Sequence, residues 1–158
     1  MRGADVSDLL AELHRLLASS GAQADKAQRA AQLIRKVGGY RWVGLYTVGS
    51  EEIGVIGWDG PSAPACPTFP VTHGLNGAAV ASGEPVLVQD VTRDSRYLST
   101  LASTRAEMIV PIHGGSEGVV VGTIDVESDR VGSFAEHDRQ LLSACAGALA
   151  GLWPAAGR

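Results

Sequence analysis

The chain has 158 residues, of which 45% are hydrophobic and 19% charged, with a formal net charge of −4. This length suits one domain with one sizeable core, and the composition is that of an ordinary soluble globular protein. The slightly acidic balance, without a run of basic residues, argues against a nucleic-acid partner. Cys66 and Cys145 are far apart, and the histidines show no zinc-like spacing, so we expect free thiols, no metal and no cofactor.

Two further exclusions concern membranes and export. Residues 1–5 lack the apolar stretch that a signal peptide requires. The longest uncharged stretch, residues 141–157, is too short and too rich in alanine and glycine to span a bilayer. We therefore expect a cytoplasmic protein that has no membrane partner.

Helical periodicity marks both ends of the chain. Apolar residues recur every three or four positions through residues 1–38, with a break at 19–21, so two helices are predicted there. A last helix is predicted over residues 133–153, because Ser133 and Glu136 have the spacing of a capping box and an apolar stripe follows them.

Residues 40–127 read instead as strands and loops. Strands are predicted where β-branched residues alternate or cluster, and a proline-rich loop and a small-residue helix lie between them. The predicted strands are 40–48, 51–58, 85–88, 107–112 and 119–127. This order predicts a single α+β domain over residues 1–158, with an antiparallel sheet and the terminal helices packed on one of its faces.

Acidic residues flank the last two predicted strands. Side chains alternate along a strand, so Asp125 and Glu127 point to the same face. Acids on core strands are costly unless something compensates them, and a cationic ligand group is one such compensator. The alternative is that they lie at solvated strand ends or cap a neighbouring loop.

Five stretches, taken in this order and spacing, resemble a GAF domain. They are residues 42–46 (Trp-Val-Gly-Leu-Tyr), 74–79 (Gly-Leu-Asn-Gly-Ala-Ala), 88–91 (Val-Gln-Asp-Val), 107–112 (Glu-Met-Ile-Val-Pro-Ile) and 122–127 (Gly-Thr-Ile-Asp-Val-Glu). Phe134 and Asp138 complete a Phe-x-x-x-Asp motif near the last helix. The resemblance covers nearly the whole chain and implies a GAF-like, PAS-related antiparallel sheet.

Within GAF domains, the pattern is most similar to the free methionine-(R)-sulfoxide reductases. The Pro-Ala-Cys segment of that subgroup is kept at residues 64–66. Asn76 and Thr100 stand where the resemblance leads us to expect two further cysteines, one of them catalytic. Sulfoxide reduction needs a thiolate to attack sulfur, and a threonine hydroxyl is not a redox nucleophile.

The resemblance also implies a ligand site. Carried over by position, the acids that hold the amino group of a free amino acid are Glu107, Asp125 and Glu127, and the aromatic residues that wall the pocket are Trp42 and Tyr46. Charge-assisted hydrogen bonds to an ammonium group and a cation–π face suit these residue types. Plain core packing is the alternative for the two aromatic residues.

Three functions follow as hypotheses. The first is a stand-alone GAF domain, a sensor or binding module, that takes a small amine-bearing ligand such as a free amino acid without turnover. The second is a divergent free methionine-(R)-sulfoxide reductase in which Cys66 is catalytic. The third is a dimerisation scaffold built on the terminal helices, and we expect a homodimer. The scaffold also predicts concentration-dependent dimerisation and an empty or collapsed pocket.

Overall fold

Six antiparallel strands form one sheet, which from edge to edge contains β3 (Thr68–Pro70), β2 (Glu52–Asp59), β1 (Trp42–Val48), β6 (Val119–Ser128), β5 (Ala106–Gly114) and β4 (Val86–Val88). The computed structural model describes residues 3–115 and 117–154, so the outermost positions of the predicted 1–158 domain lie outside the described residues. The five predicted strands are present, and β3 is a sixth strand that pairs with β2 inside the stretch predicted as a proline-rich loop.

Four α-helices accompany the sheet: α1 (Gly3–Ala18), α2 (Gln23–Gly38), α3 (Gly74–Ser82) and α4 (Glu136–Leu149). Short 3-10 turns follow at Val91–Arg93 and Ala150–Leu152. None of the helices in the described part of the chain has the length and apolar character that a membrane span needs.

The main hydrophobic core lies between the sheet and the terminal helices. Helices α2 and α4 pack against the sheet, and α1 packs against both of these helices. Alternate residues of the central strands, such as Val43 and Leu45 in β1 and Ile124 and Val126 in β6, point into this core. The predicted α+β architecture, with the terminal helices on one face of an antiparallel sheet, is therefore confirmed.

The last helix begins later than predicted. Helix α4 starts at Glu136 rather than Ser133, and the Ser133 hydroxyl is buried without a hydrogen-bond partner. The backbone N–H of Ala135 donates to Asp138 Oδ2 over 2.8 Å, while Asp138 Oδ1 accepts from the Tyr40 hydroxyl over 2.9 Å. The predicted capping box is wrong because the Asp138 carboxylate caps the helix instead and is itself fixed by a buried tyrosine.

Candidate functional site

The second face of the sheet brings together all five side chains of the predicted ligand site. In the register of the central strands, Trp42 of β1 lies opposite Glu127 of β6, which lies opposite Glu107 of β5. Tyr46 and Asp125 point to the same face by alternation. All five are buried, and the three acids are between 0% and 2% exposed. The solvated strand ends considered as an alternative are thus excluded for these acids.

A glycine makes room for the two aromatic residues. Gly44 lies between Trp42 and Tyr46 and pairs with Asp125. A Cβ atom at Gly44 would lie 2.3 Å from the Trp42 ring and 3.0 Å from the Tyr46 ring, so both rings lean across this position. Their centroids are 6.4 Å apart, and the Trp42 indole N–H donates to the backbone oxygen of Ser62. The rings cover the sheet in front of Asp125, an arrangement that fits a pocket wall and core packing alike.

The three acids form one cluster, which we call the acid cluster: Glu107, Asp125 and Glu127. One carboxylate oxygen from each lies within 4.8 Å of the other two. The Asn76 amide donates to Asp125 Oδ2 over 3.1 Å, and the Thr104 hydroxyl donates to Glu127 Oε2. A second oxygen of each acid (Glu107 Oε2, Asp125 Oδ1 and Glu127 Oε1) is buried without a hydrogen bond from an amide or hydroxyl group. The carboxyl groups of Glu107 and Asp125 also hydrogen-bond each other, with the proton on Glu107.

Burial changes the protonation of the acid cluster. Loss of solvent raises the pKa of Asp125 to about 6, and loss of solvent together with the Asp125 charge raises the pKa of Glu127 to about 8. Desolvation, followed by the charges of both neighbours, raises the pKa of Glu107 well above its usual range. Among the described residues, no ion pair includes any of the three acids. Protons therefore take the place that a cation would fill.

Two residues outside the predicted ligand set donate hydrogen bonds to the acid cluster. Asn76 donates to Asp125 and accepts a hydrogen bond from the Thr123 hydroxyl, so it links helix α3 to strand β6. Thr104 reaches Glu127 from the loop between β4 and β5. In the sequence Asn76 is notable only as a replaced cysteine, and no local pattern singles out Thr104, because both contacts span more than 20 residues of chain.

A small cavity of about 10 Å³ lies beside the acid cluster, enough for about one water molecule. Its polar lining residues are Tyr46, Cys66, Asn76, Ser99, Thr100 and Glu107. Thr100 and Asn76, which replace the expected cysteines, therefore both border it. The site is closed in this structure, and any ligand larger than water requires the loops above the sheet to move.

The two cysteines lie on opposite sides of the sheet. Both are free; Cys66 is half-buried and lines the cavity beside the acid cluster. Cys145 packs in the helix-side core, where burial raises the pKa of its thiol to about 12. Since these are the two cysteines of the chain, no second thiol is placed to pair with Cys66.

Comparison of the sequence and the fold with known proteins shows the family to which the chain belongs. Over 137 residues the chain is 26% identical to GAF domain-containing protein A of Dictyostelium discoideum (86% of this chain, 84% of that protein) and 25% identical to the free methionine-R-sulfoxide reductase of Escherichia coli (86% and 81%). The crystal structure of the Neisseria meningitidis free methionine-R-sulfoxide reductase with its substrate superimposes with a TM-score of 0.81 at 27% identity, covering 93% of this chain and 87% of that one. Residues 24–152 match the GAF domain family, and the chain belongs to that family.

Proposed function

We propose that this GAF domain binds a small amine-bearing ligand, such as a free amino acid, on the acid cluster and does not turn it over. One observation supports this most directly: three buried acids have carboxyl oxygens within 4.8 Å of one another, each has an oxygen that receives no hydrogen bond from an amide or hydroxyl, and none is paired with a cationic side chain among the described residues. An ammonium group offers three N–H donors and a positive charge, which matches three convergent oxygens.

The other end of an amino acid also has a partner at this cavity. Gly74, Leu75 and Asn76 form the first turn of α3 and line the cavity, and the N-cap residue His73 makes no side-chain cap. The first N–H groups of a helix lack intrahelical acceptors and favour an anion. A ligand with an ammonium group on the sheet and a carboxylate at α3 would satisfy both.

Similar proteins support the ligand class. The Escherichia coli relative and the Neisseria meningitidis structure are reductases of free methionine-R-sulfoxide, and the latter holds its substrate. The acids and aromatic residues that the resemblance carries over are present here, while the expected cysteines are Asn76 and Thr100. Retained ligand groups without the redox groups favour binding over turnover.

A closed cavity requires an opening step. The loop that contains Cys66 is joined to the loop above the acid cluster by the backbone hydrogen bond from Ala65 N–H to the Thr100 oxygen, 3.1 Å long. Among the described residues this is the single backbone hydrogen bond between the segments 60–67 and 94–105. We infer that these two segments separate to admit the ligand. The scaffold hypothesis instead predicts that the site stays closed and that only dimerisation matters.

Calorimetry separates these functions. We expect methionine and methionine-R-sulfoxide to bind, and N-acetylmethionine, which has no ammonium group, to fail. Glu107→Gln and Asp125→Asn should each weaken binding about 10- to 100-fold, the worth of one charge-assisted hydrogen bond. Glu136→Gln, on the exposed surface of α4, is the matched control. If no amino acid binds at millimolar concentration and both site variants behave as the native chain does, the amine site is wrong.

A divergent reductase is the second candidate, because Cys66 lines the same cavity. Its thiolate would attack the sulfoxide sulfur, methionine would leave, and the oxygen would remain on Cys66 as a sulfenic acid. An external thiol would then condense with that group to a mixed disulfide, releasing water, and a second external thiol would restore the Cys66 thiol, because Cys145 lies across the sheet. Turnover with dithiothreitol that is abolished in Cys66→Ser would favour this candidate, and equal rates would exclude it. Sedimentation velocity would test the predicted homodimer.

A further inference from the structure

Cys66 and the acid cluster meet at one cavity, and their chemistries are complementary in a single class of ligand. We propose that the site captures amine-bearing disulfides, with the ammonium group on the acid cluster and one sulfur joined to Cys66 as a mixed disulfide. This proposal rests on the amine-binding function proposed above and names a reactive ligand class for it.

The thiol is placed for this reaction. Cys66 is half-buried, free of any disulfide, and packs against the aromatic cluster that contains Tyr46 and Phe69. Glu107, which is 2% exposed, borders the same cavity of about 10 Å³, and its Oε2 atom has no hydrogen-bond donor. Because Glu107 and Cys66 line one cavity, the ammonium group and the sulfur of one small ligand can reach both residues once the loops above the sheet open.

The reaction is a balanced exchange. The Cys66 thiolate attacks one sulfur of the ligand disulfide, a new sulfur–sulfur bond forms, and the ligand's own sulfur–sulfur bond breaks. The ligand disulfide is the oxidant: Cys66 is oxidised to the mixed disulfide, and the departing half is reduced to an aminothiolate that takes a proton from solvent. Because Cys145 lies on the helix side of the sheet, no internal thiol can displace the bound aminothiol. The adduct therefore persists until an external thiol removes it.

Recruitment by the acid cluster should appear as selectivity among disulfides. A bound ammonium raises the local concentration of the disulfide at Cys66, whereas a neutral disulfide has no such anchor. To correct for intrinsic reactivity, the rate at which each disulfide modifies Cys66 is divided by the rate at which the same disulfide reacts with free glutathione. After this correction, we expect cystamine, which has two ammonium groups, to react at least 10-fold faster than bis(2-hydroxyethyl) disulfide.

Intact-mass spectrometry of the full chain at pH 7.5 tests this. The expected result is one aminothiol adduct that is absent in Cys66→Ser and reversed by dithiothreitol. The preference for cystamine should fall to about twofold in Glu107→Gln or Asp125→Asn and remain in the surface control Glu136→Gln. Equal normalised rates for the two disulfides in the native chain, or an adduct on Cys145, would overturn the proposal without any need for the site variants.

The same proteins distinguish failure of this proposal from failure of the proposed function. Cys66→Ser keeps the acid cluster but cannot form the adduct, so calorimetry on it measures reversible binding alone. If Cys66→Ser binds methionine and the native chain shows no preference for cystamine, only the capture of disulfides is wrong. If neither protein binds an amine, both proposals are wrong.

Discussion

Replacing Glu127 with glutamine should stabilise the protein at alkaline pH and flatten the dependence of its stability on pH. Glu127 is fully buried, and burial with the neighbouring charge of Asp125 raises its pKa from 4.5 to about 8. Between these two values the folded protein holds a proton that the unfolded chain releases. Stability therefore falls as pH rises through this window, and the full cost is present above pH 8 and absent below about pH 4.5.

The size of the effect follows from that window. Each pH unit well inside it costs about 1.4 kcal/mol for one such group, and the slope halves as pH reaches the folded pKa, so Glu127 alone should lower the free energy of unfolding by about 2 kcal/mol between pH 6 and pH 8. Asp125 titrates mainly below this range, because its pKa is about 6. Glutamine is neutral and nearly the same shape, and its side-chain oxygen can still accept the hydrogen bond from the Thr104 hydroxyl.

Urea unfolding followed by circular dichroism at pH 5, 6, 7 and 8, at constant ionic strength, measures this difference. Glu127→Gln should gain stability over the native chain steadily from pH 6 to pH 8. Glu136→Gln serves as the control, since it removes only an exposed ion pair with Arg139 and should follow the native curve. If Glu127→Gln shows the native slope, or if the native chain has constant stability from pH 6 to pH 8, the description of a desolvated acid cluster is wrong.

Three further predictions concern packing, a cap and ligand binding. Gly122→Ala should cost about 1–3 kcal/mol in urea unfolding, because its Cβ atom would lie 2.3 Å from the Trp153 ring, whereas Gly147→Ala on the open side of α4 should stabilise by about 0.5–1 kcal/mol. Tyr40→Phe should cost about 1–3 kcal/mol by the same assay, because the buried Asp138 carboxylate loses a donor. Methionine should bind more tightly at pH 8 than at pH 6, because the acid cluster must lose protons to pair with an ammonium group. Calorimetry in buffers of different ionisation enthalpy should show this proton release, and binding that is independent of pH would contradict the prediction.

The sequence predicted five of the six strands because their signals are local, and it missed β3, a three-residue strand within the predicted proline-rich loop. Alternation in β1 and β6 determined which residues share a face, and the structure brings Trp42, Tyr46, Asp125 and Glu127 together on that face. What alternation could not tell is whether that face meets water or protein. The answer depends on the loops between β2 and β3 and between β4 and β5, whose sequences show no periodic pattern of apolar residues. These loops close over the acids through contacts such as the hydrogen bond from Thr104 to Glu127.

The start of the last helix shows a second limit. Ser133 and Glu136 have the spacing of a capping box, yet the backbone is capped by Asp138. The deciding contact is the hydrogen bond from Tyr40, which lies 98 residues earlier in the chain. A spacing rule considers only neighbours in sequence, so it cannot weigh a partner that only the folded chain supplies.

The two faces of β6 belong to different parts of the molecule but share one backbone. Asp125 and Glu127 alternate with Ile124 and Val126, which are fully buried in the helix-side core. Amide hydrogens of this strand should therefore exchange only by global unfolding, while those of the loops at 60–67 and 94–105 exchange through local opening. Under the proposed function, the residence time of a bound ligand would then be set by the opening of these loops. A substitution in the helix-side core would lower the melting temperature and leave the dissociation rate of the ligand unchanged.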